Sequence, residues 1–525
     1  MKTTTAVLSS AIRWFQIRRS CEDKSAIPLP APSSNTSREP LTDSGDESDS
    51  EKQSTLSCIP ISPPTTNPFF PTNPSHILDV IIVGAGIGGL ATAYLLGTAG
   101  HRVTILESAT ELSEVGAGIQ LSPNATRLLS RWGLGDELER VAVAPQNISL
   151  RRYRDGDVVG WTPWGDSMDK QHGSPYYQVH RADLHQMLIQ LLDSLPVTIQ
   201  LNSKVIDVDP STPLVTLASG ESIRGDLVVG ADGLRSTVRT VLAGREDKPE
   251  PTGDAAYRAM IPAEVVLADP DLRDLIENPA LDIWMGPGRH IVGYWIRKQT
   301  MYNLVMVHPA REPDMYAAAK DADLNVMKAD YGDFEPRVQK LLALAPSALV
   351  WPLMDRKPME NWVHPSGRVC LLGDACHPTL PYRAQGAAIA LEDAAVLGNL
   401  LSRIQSKSQL PTLLKAYQDL RISRASATQL ASRANQAIFH LADGPKQVKR
   451  DALMREAMES AVRELEGDHN VDDHLGCPNM WGDKQRNRDT FNYDADAEAE
   501  KWFEEHWPLG KCTDAAFYQR FITGV

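Results

Sequence analysis

The stretch Val80-Ile-Ile-Val-Gly84-Ala-Gly86-Ile-Gly88-Gly89 decides how this chain is read. Its apolar run predicts a buried strand, its glycines a tight turn, and the residues Gly89–Thr98 a helix. Gly84 permits the turn, Gly86 lets the backbone approach a pyrophosphate, and Gly89 lets the helix pack on the strand. Phosphates then sit at a helix N-terminus, where free N–H groups and the helix dipole favour negative charge. Gly100 ends the helix. The next strand, Val103–Glu107, finishes on an acid 23 residues beyond Gly84, placed to accept hydrogen bonds from an adenosine ribose. The pattern describes a dinucleotide cradle and leaves FAD and NAD both open.

The same region has a second reading. Residues 80–100 carry no charge over 21 positions, which is enough to cross a bilayer. Six glycines among them, and the charged strand that follows at once, favour the cradle. No other window reaches 18 apolar residues, so no membrane span is expected.

Outward from the cradle, two distant segments repeat the strand–turn–helix logic. One is Gly225-Asp-Leu-Val-Val-Gly-Ala-Asp232-Gly233-Leu-Arg-Ser236-Thr-Val-Arg239. The other runs from Gly367 through Gly373-Asp374-Ala-Cys-His377-Pro378-Thr-Leu-Pro381 to Gln385-Gly386-Ala387. Further strands are expected at Leu227–Gly230, Ile291–Trp295, Asn303–Val307 and Val369–Leu372. Further helices are expected at Ala182–Leu192, Ala387–Ser402 and Leu413–Leu441. The fold class is therefore α/β: a Rossmann-like nucleotide-binding domain, a smaller mainly β domain and a C-terminal helical region. The expected boundaries are 1–76 for a disordered or targeting extension, 77–250 and 352–410 for the nucleotide domain, 251–351 for the β domain and 411–525 for the helices.

Composition narrows the class. A chain of 525 residues has room for two to four domains and a large core. Its net charge of −14, with no basic block, argues against nucleic acid as a partner. The excess lies at the flanks: residues 451–505 hold 16 acids against 6 bases, and residues 22–52 hold 8 against 3. Residues 22–76 are rich in Ser, Pro, Thr and acids and read as disordered. Residues 1–20 carry four basic residues and no acid, which suits a mitochondrial leader and equally a start that targets nothing. The six cysteines form no CxxC pair, so no metal site is expected. So few thiols fit a soluble, intracellular and most simply cytoplasmic protein.

In this order, the three motifs resemble the single-component FAD-dependent aromatic hydroxylases of the para-hydroxybenzoate hydroxylase type. The likeness to salicylate-hydroxylase-like fungal members extends to Val115-Gly-Ala-Gly118-Ile-Gln-Leu-Ser-Pro-Asn124, Val179-His-Arg181-Ala-Asp183, Ala256-Tyr-Arg258 and Phe439-His-Leu-Ala-Asp-Gly444. The resemblance implies FAD as cofactor and NADH or NADPH as a transient co-substrate. It implies hydroxylation of a phenol or aromatic acid by O2 through a flavin C4a-hydroperoxide. Gly84, Gly86, Gly89 and Glu107 would hold the ADP half of FAD, and Gly118 would lie against the flavin. Arg181 would reach the pyrophosphate or ribityl chain, Asp374 a ribityl hydroxyl, and the segment from Asp232 to Arg239 would serve both FAD and the passing nicotinamide nucleotide. Gly386 and Ala387 would turn a helix N-terminus toward the flavin pyrimidine, where reduced flavin carries negative charge.

The resemblance also makes Arg258, Tyr294 and His290 the candidates for binding and deprotonating the substrate. On a strand, residues 290, 292 and 294 share one face, which would aim both polar tips at one pocket. Pro381 is expected just before the flavin-facing loop, its carbonyl toward the substrate. Trp351 and Trp362 either line the pocket or pack the core, with packing favoured, and His377 and Cys376 belong to a structural turn. Epoxidation or Baeyer–Villiger insertion on the same fold, or a non-catalytic dinucleotide-binding regulator, are the alternatives. The partners expected are a small aromatic substrate and O2, with the protein a monomer or homodimer.

Overall fold

The computed structural model describes residues 74–112, 117–312, 315–468 and 470–506. The N-terminal extension, Val115 and Gly116 of the quoted motif, and Trp507 lie outside these residues.

The strand Asp79–Val83 sits at the centre of a five-stranded parallel sheet. It pairs with Arg102–Leu106 on one side and with Leu227–Gly230 on the other. Val369–Leu371 and Val197–Gln200 form the edges. The central strands read as unbroken apolar runs because parallel sheets are covered on both faces. Both turns that follow Val83 and Gly230 open at the carboxyl ends of adjacent strands, where open α/β sheets bind ligands. The helix Gly386–Leu401, buried along nearly its whole length, packs on the cradle helix Ile87–Thr98.

A mixed eight-stranded sheet forms the second layer. Its middle is the antiparallel set Glu250–Pro262, Met301–Pro309, Arg289–Ile296 and Ala280–Gly286. Two strands come from outside 251–351. Asn147–Arg152 runs parallel to Ala280–Gly286 and carries Val158–Pro163 on its outer side. Such recruitment across more than a hundred residues leaves no local sequence signal.

The helix Leu410–Phe439 runs along the body, and the acidic segment beyond it folds back. Trp481 stacks on Phe439 with ring centroids 6.4 Å apart, and Tyr493 lies under Arg424 at 3.9 Å. Apolar and cation–π contacts of this kind hold an otherwise charge-rich segment on the protein. No described helix is long and apolar enough to cross a membrane.

Candidate active site

The glycines of the first turn divide their work. Gly84 has φ +102°, and a Cβ there would lie 2.6 Å from the Ala231 carbonyl oxygen; a Cβ on Gly89 would lie 2.1 Å from that of Gly84. These two let turn, strand and helix close on one another. Gly86 differs: a Cβ would meet nothing within 4 Å, and the residue lines a cleft of about 460 Å³. Its bare backbone is the place for a pyrophosphate to pass.

The cleft brings most of the expected residues together. Gly86, Gly118, Arg181, Asp374, Gly386 and Ala387 all line it. Asp374 presents its surface to the cleft with protein packed densely behind it. That desolvation pushes its carboxyl up, His377 and Arg181 pull it down, and Asp393 adds to the rise. Gly386 and Ala387 open a 16-residue helix whose first-turn N–H groups have no partner within the helix. An elongated dinucleotide fits this sequence of features. Two helix N-termini, a cation and a carboxylate line the one cleft.

Two residues expected to bind the cofactor do not line the cleft with their side chains. The Glu107 carboxylate accepts hydrogen bonds from the backbone N–H groups of Ala85 and Ala109, each at 2.8 Å, and does not line the cleft. Burial alone would raise its pKa, but these donors hold it below the ordinary value. Asp232 turns inward too. It accepts from Ser236 Oγ at 2.5 Å and from the Thr237 N–H at 2.7 Å, capping the helix Thr237–Ala243. Its neighbours Ala231 and Gly233 line the cleft instead. An acid just before a helix satisfies the orphan N–H groups first.

Arg258, Tyr294 and His290 line the same cleft. His290, Val292 and Tyr294 share the strand face that points into the cleft. The Arg258 guanidinium lies over the Trp351 ring at 4.7 Å and has no hydrogen-bond or carboxylate partner among the described residues. Burial lowers its pKa, with Tyr294 opposing and Arg181 adding. Burial pushes the Tyr294 phenol up to about 12, against Arg258 and a hydrogen bond with Gln120. Gln120 in turn accepts from Tyr176 Oη at 2.7 Å. His290 is buried, and its pKa falls well below the ordinary value through burial and the adjacent His440.

Trp351 does both things open to it: one side packs against the core, and it also lines the cleft, where its ring carries Arg258. Trp362 is fully buried against His377 and Tyr417. Pro381 lines the cleft as expected, and so do Tyr382, Phe439 and Trp481, which sequence reading missed. Arg181, Arg258 and Trp351 also border a second cavity of about 550 Å³ floored by apolar residues such as Met260 and Met301.

Cys376, His377 and Asp393 come within 4.8 Å of one another. The Asp393 oxygens are taken up by His377 at 2.5 Å, Arg421 at 2.8 Å and the Gly373 N–H at 3.1 Å. This cluster ties the third turn to the helices beneath it.

Comparison with known proteins identifies the family and the fold. Residues 77–434 match the family described as FAD binding domain, and the chain belongs to that family, among the single-component FAD-dependent monooxygenases. It is 38% identical over 380 residues to the FAD-dependent monooxygenase OpS4 of Beauveria bassiana (strain ARSEF 2860), covering 72% of this chain and 89% of that one. It is 36% identical over 380 residues to 3-amino-4-hydroxybenzoate 2-monooxygenase of Streptomyces cremeus, covering 72% and 92%. The fold matches the crystal structure of CtdE in complex with FAD and a substrate, with a TM-score of 0.67, 22% identity and coverage of 82% and 98%.

Proposed function

We propose that this protein uses NADH or NADPH and O2 to hydroxylate a phenol or aromatic acid held beside its FAD. The observation that carries the reading is the partnerless Arg258 guanidinium, stacked on Trp351 beside Tyr294 in the cleft. A half-buried cation without a counter-ion is costly unless a ligand supplies one, and a carboxylate or phenolate does. The relative from Streptomyces cremeus, named for a hydroxybenzoate, points to the same ligand chemistry.

Gly86, Arg181, Asp374, Gly386 and Ala387 are the residues that would hold FAD. Bound FAD supplies the two-electron activation of O2, one atom of which enters the ring while the other leaves as water. Arg258 binds the anionic edge of the ring and Tyr294 orients it. His290, kept neutral by burial, accepts the phenol proton and makes the ring more electron-rich. Trp351, Phe439 and Trp481 screen the space from water.

The test is NAD(P)H consumption by the purified yellow protein across a panel of phenols and aromatic acids, with product masses measured. Stimulated consumption and a product heavier by one oxygen support the reading. Tight FAD with no stimulation by any member would instead favour a regulator.

A further inference from the structure

We propose that His440 and Asp254 form, with His290, a buried chain that sets the tautomer of His290 and draws a proton away from the cleft. The proposal rests on the hydroxylase reading and adds two positioning residues to it. His290 Nδ1 lies 2.8 Å from His440 Nε2, a hydrogen bond between two neutral rings that requires one N–H and one lone pair. On the other side of the His440 ring, Nδ1 faces Asp254 Oδ2 at 3.7 Å.

The carboxylate fixes the direction. Beside Asp254, His440 keeps its proton on Nδ1, and its Nε2 becomes the acceptor. His290 must then donate from Nδ1, which leaves its Nε2 lone pair as a base for the cleft it lines. Two rings in series carry the orientation that one carboxylate sets, by the logic of a histidine held in one tautomer by an acid.

The proton balance closes. The phenol O–H bond breaks, and its proton forms an N–H bond at His290 Nε2. The Nδ1 proton of His290 crosses to His440 Nε2. The phenolate faces Arg258, and the resulting His440 imidazolium faces the Asp254 carboxylate. His440 stands at the end of the helix Leu410–Phe439 with 10% of its side chain exposed, enough to return the proton to solvent.

Asp254 acts on His440 by its charge across 3.7 Å and not by a hydrogen bond, and no other charged group among the described residues competes for it. Asp254 accepts from Tyr382 Oη at 2.8 Å and Gln436 Nε2 at 2.5 Å, both neutral donors. His308 spends its Nδ1 on the Pro309 carbonyl. Asp443, three residues beyond His440, is held by Arg152, Arg154 and Tyr153. The His440 segment is also the Phe439–Gly444 motif, to which sequence reading gave no role.

The deciding experiment is nitrogen-15 histidine NMR on the FAD-loaded full chain, which contains 13 histidines. His440→Gln, Asp254→Asn and His290→Asn provide assignments and perturbations. The proposal expects His290 as the Nδ1–H tautomer in the wild type and a shift toward Nε2–H in Asp254→Asn. It also expects the His440 pKa to fall by about one unit in Asp254→Asn. A wild-type His290 already in the Nε2–H form, or one unmoved by both His440→Gln and Asp254→Asn, overturns it. If Asp254→Asn fails to fold through loss of the Tyr382 bond, His440→Gln decides alone. In turnover, both variants should keep FAD and lose about tenfold or more of kcat/KM, with the wild-type acid limb displaced. Wild-type protein without any aromatic-stimulated turnover would remove the hydroxylase reading and leave the NMR result standing.

Discussion

The ring of Tyr294 lies directly against the backbone of Gly118. A Cβ on Gly118 would come within 2.6 Å of Tyr294 Cε2 and 2.7 Å of its hydroxyl. The Gly118 N–H is itself fixed by Asn303 Oδ1 at 2.9 Å, so the backbone has little room to retreat. Gly118→Ala should therefore displace the Tyr294 ring and lower stability by about 1–3 kcal/mol, as overpacking does. Aromatic-stimulated turnover should fall much more than FAD affinity, as measured by flavin fluorescence titration beside steady-state kinetics.

Gly89→Ala acts in the first glycine turn. Its methyl group would meet the Gly84 carbonyl, backbone against backbone, so no side-chain rotation relieves the clash. The helix Ile87–Thr98 must move, taking with it the first-turn N–H groups proposed to face the FAD pyrophosphate. FAD dissociation in the same titration should be at least about tenfold easier.

Arg258→Ala should leave the protein yellow and remove the charge that receives the substrate. A charge-assisted hydrogen bond of about 1.5–3 kcal/mol corresponds to about a tenfold to hundredfold loss in kcat/KM. Full turnover by the variant would remove Arg258 from its assigned role.

Arg421 is fully buried between Glu392 and Asp393, at 2.7 and 2.8 Å. Arg421→Met strands part of that negative charge and should destabilise the protein by about 3–5 kcal/mol in thermal or urea unfolding. Burial alone would raise both carboxyls. Arg424 and Arg421 on Glu392, and His377 and Arg421 on Asp393, outweigh it and hold both low. Their contribution is thus complete above the ordinary values of 4.5 and 3.8, and it is lost as pH falls through the lower folded values.

Asp496 has the opposite sign. Burial pushes its carboxyl from 3.8 to about 6, despite Arg131 at 3.1 Å, with Asp494 adding to the rise. Between those values the folded chain keeps a proton that the unfolded chain has released. Stability from this group therefore declines as pH rises across the window. Asp496→Asn should flatten that decline and raise stability at pH 7 by about 2 kcal/mol, read from unfolding at pH 4, 5, 6 and 7.

The sequence made the parts with local signatures legible. Three strand–turn–helix segments located the parallel sheet, and period-two spacing placed His290 and Tyr294 on one face. Residues that act across distance were not legible. Asp254 meets His440 from 186 positions away, and Trp481 reaches the cleft only because the tail folds back. Asp232 shows the limit of a motif: its position is conspicuous, but its carboxylate is consumed by its own helix. Trp351 shows the limit of residue type, since an indole that packs in a core and one that carries a cation look alike in sequence.

The central claim is that FAD in this cleft delivers an oxygen atom to an aromatic ring. Its most direct test supplies oxygen-18 dioxygen and NADH or NADPH to the flavin-loaded protein with the panel of phenols and aromatic acids. The account predicts a product carrying one oxygen-18 atom on its ring, formed as the reduced nicotinamide is consumed. Protein that remains colourless in excess FAD, or that consumes the nicotinamide with no label in any aromatic product, would contradict it.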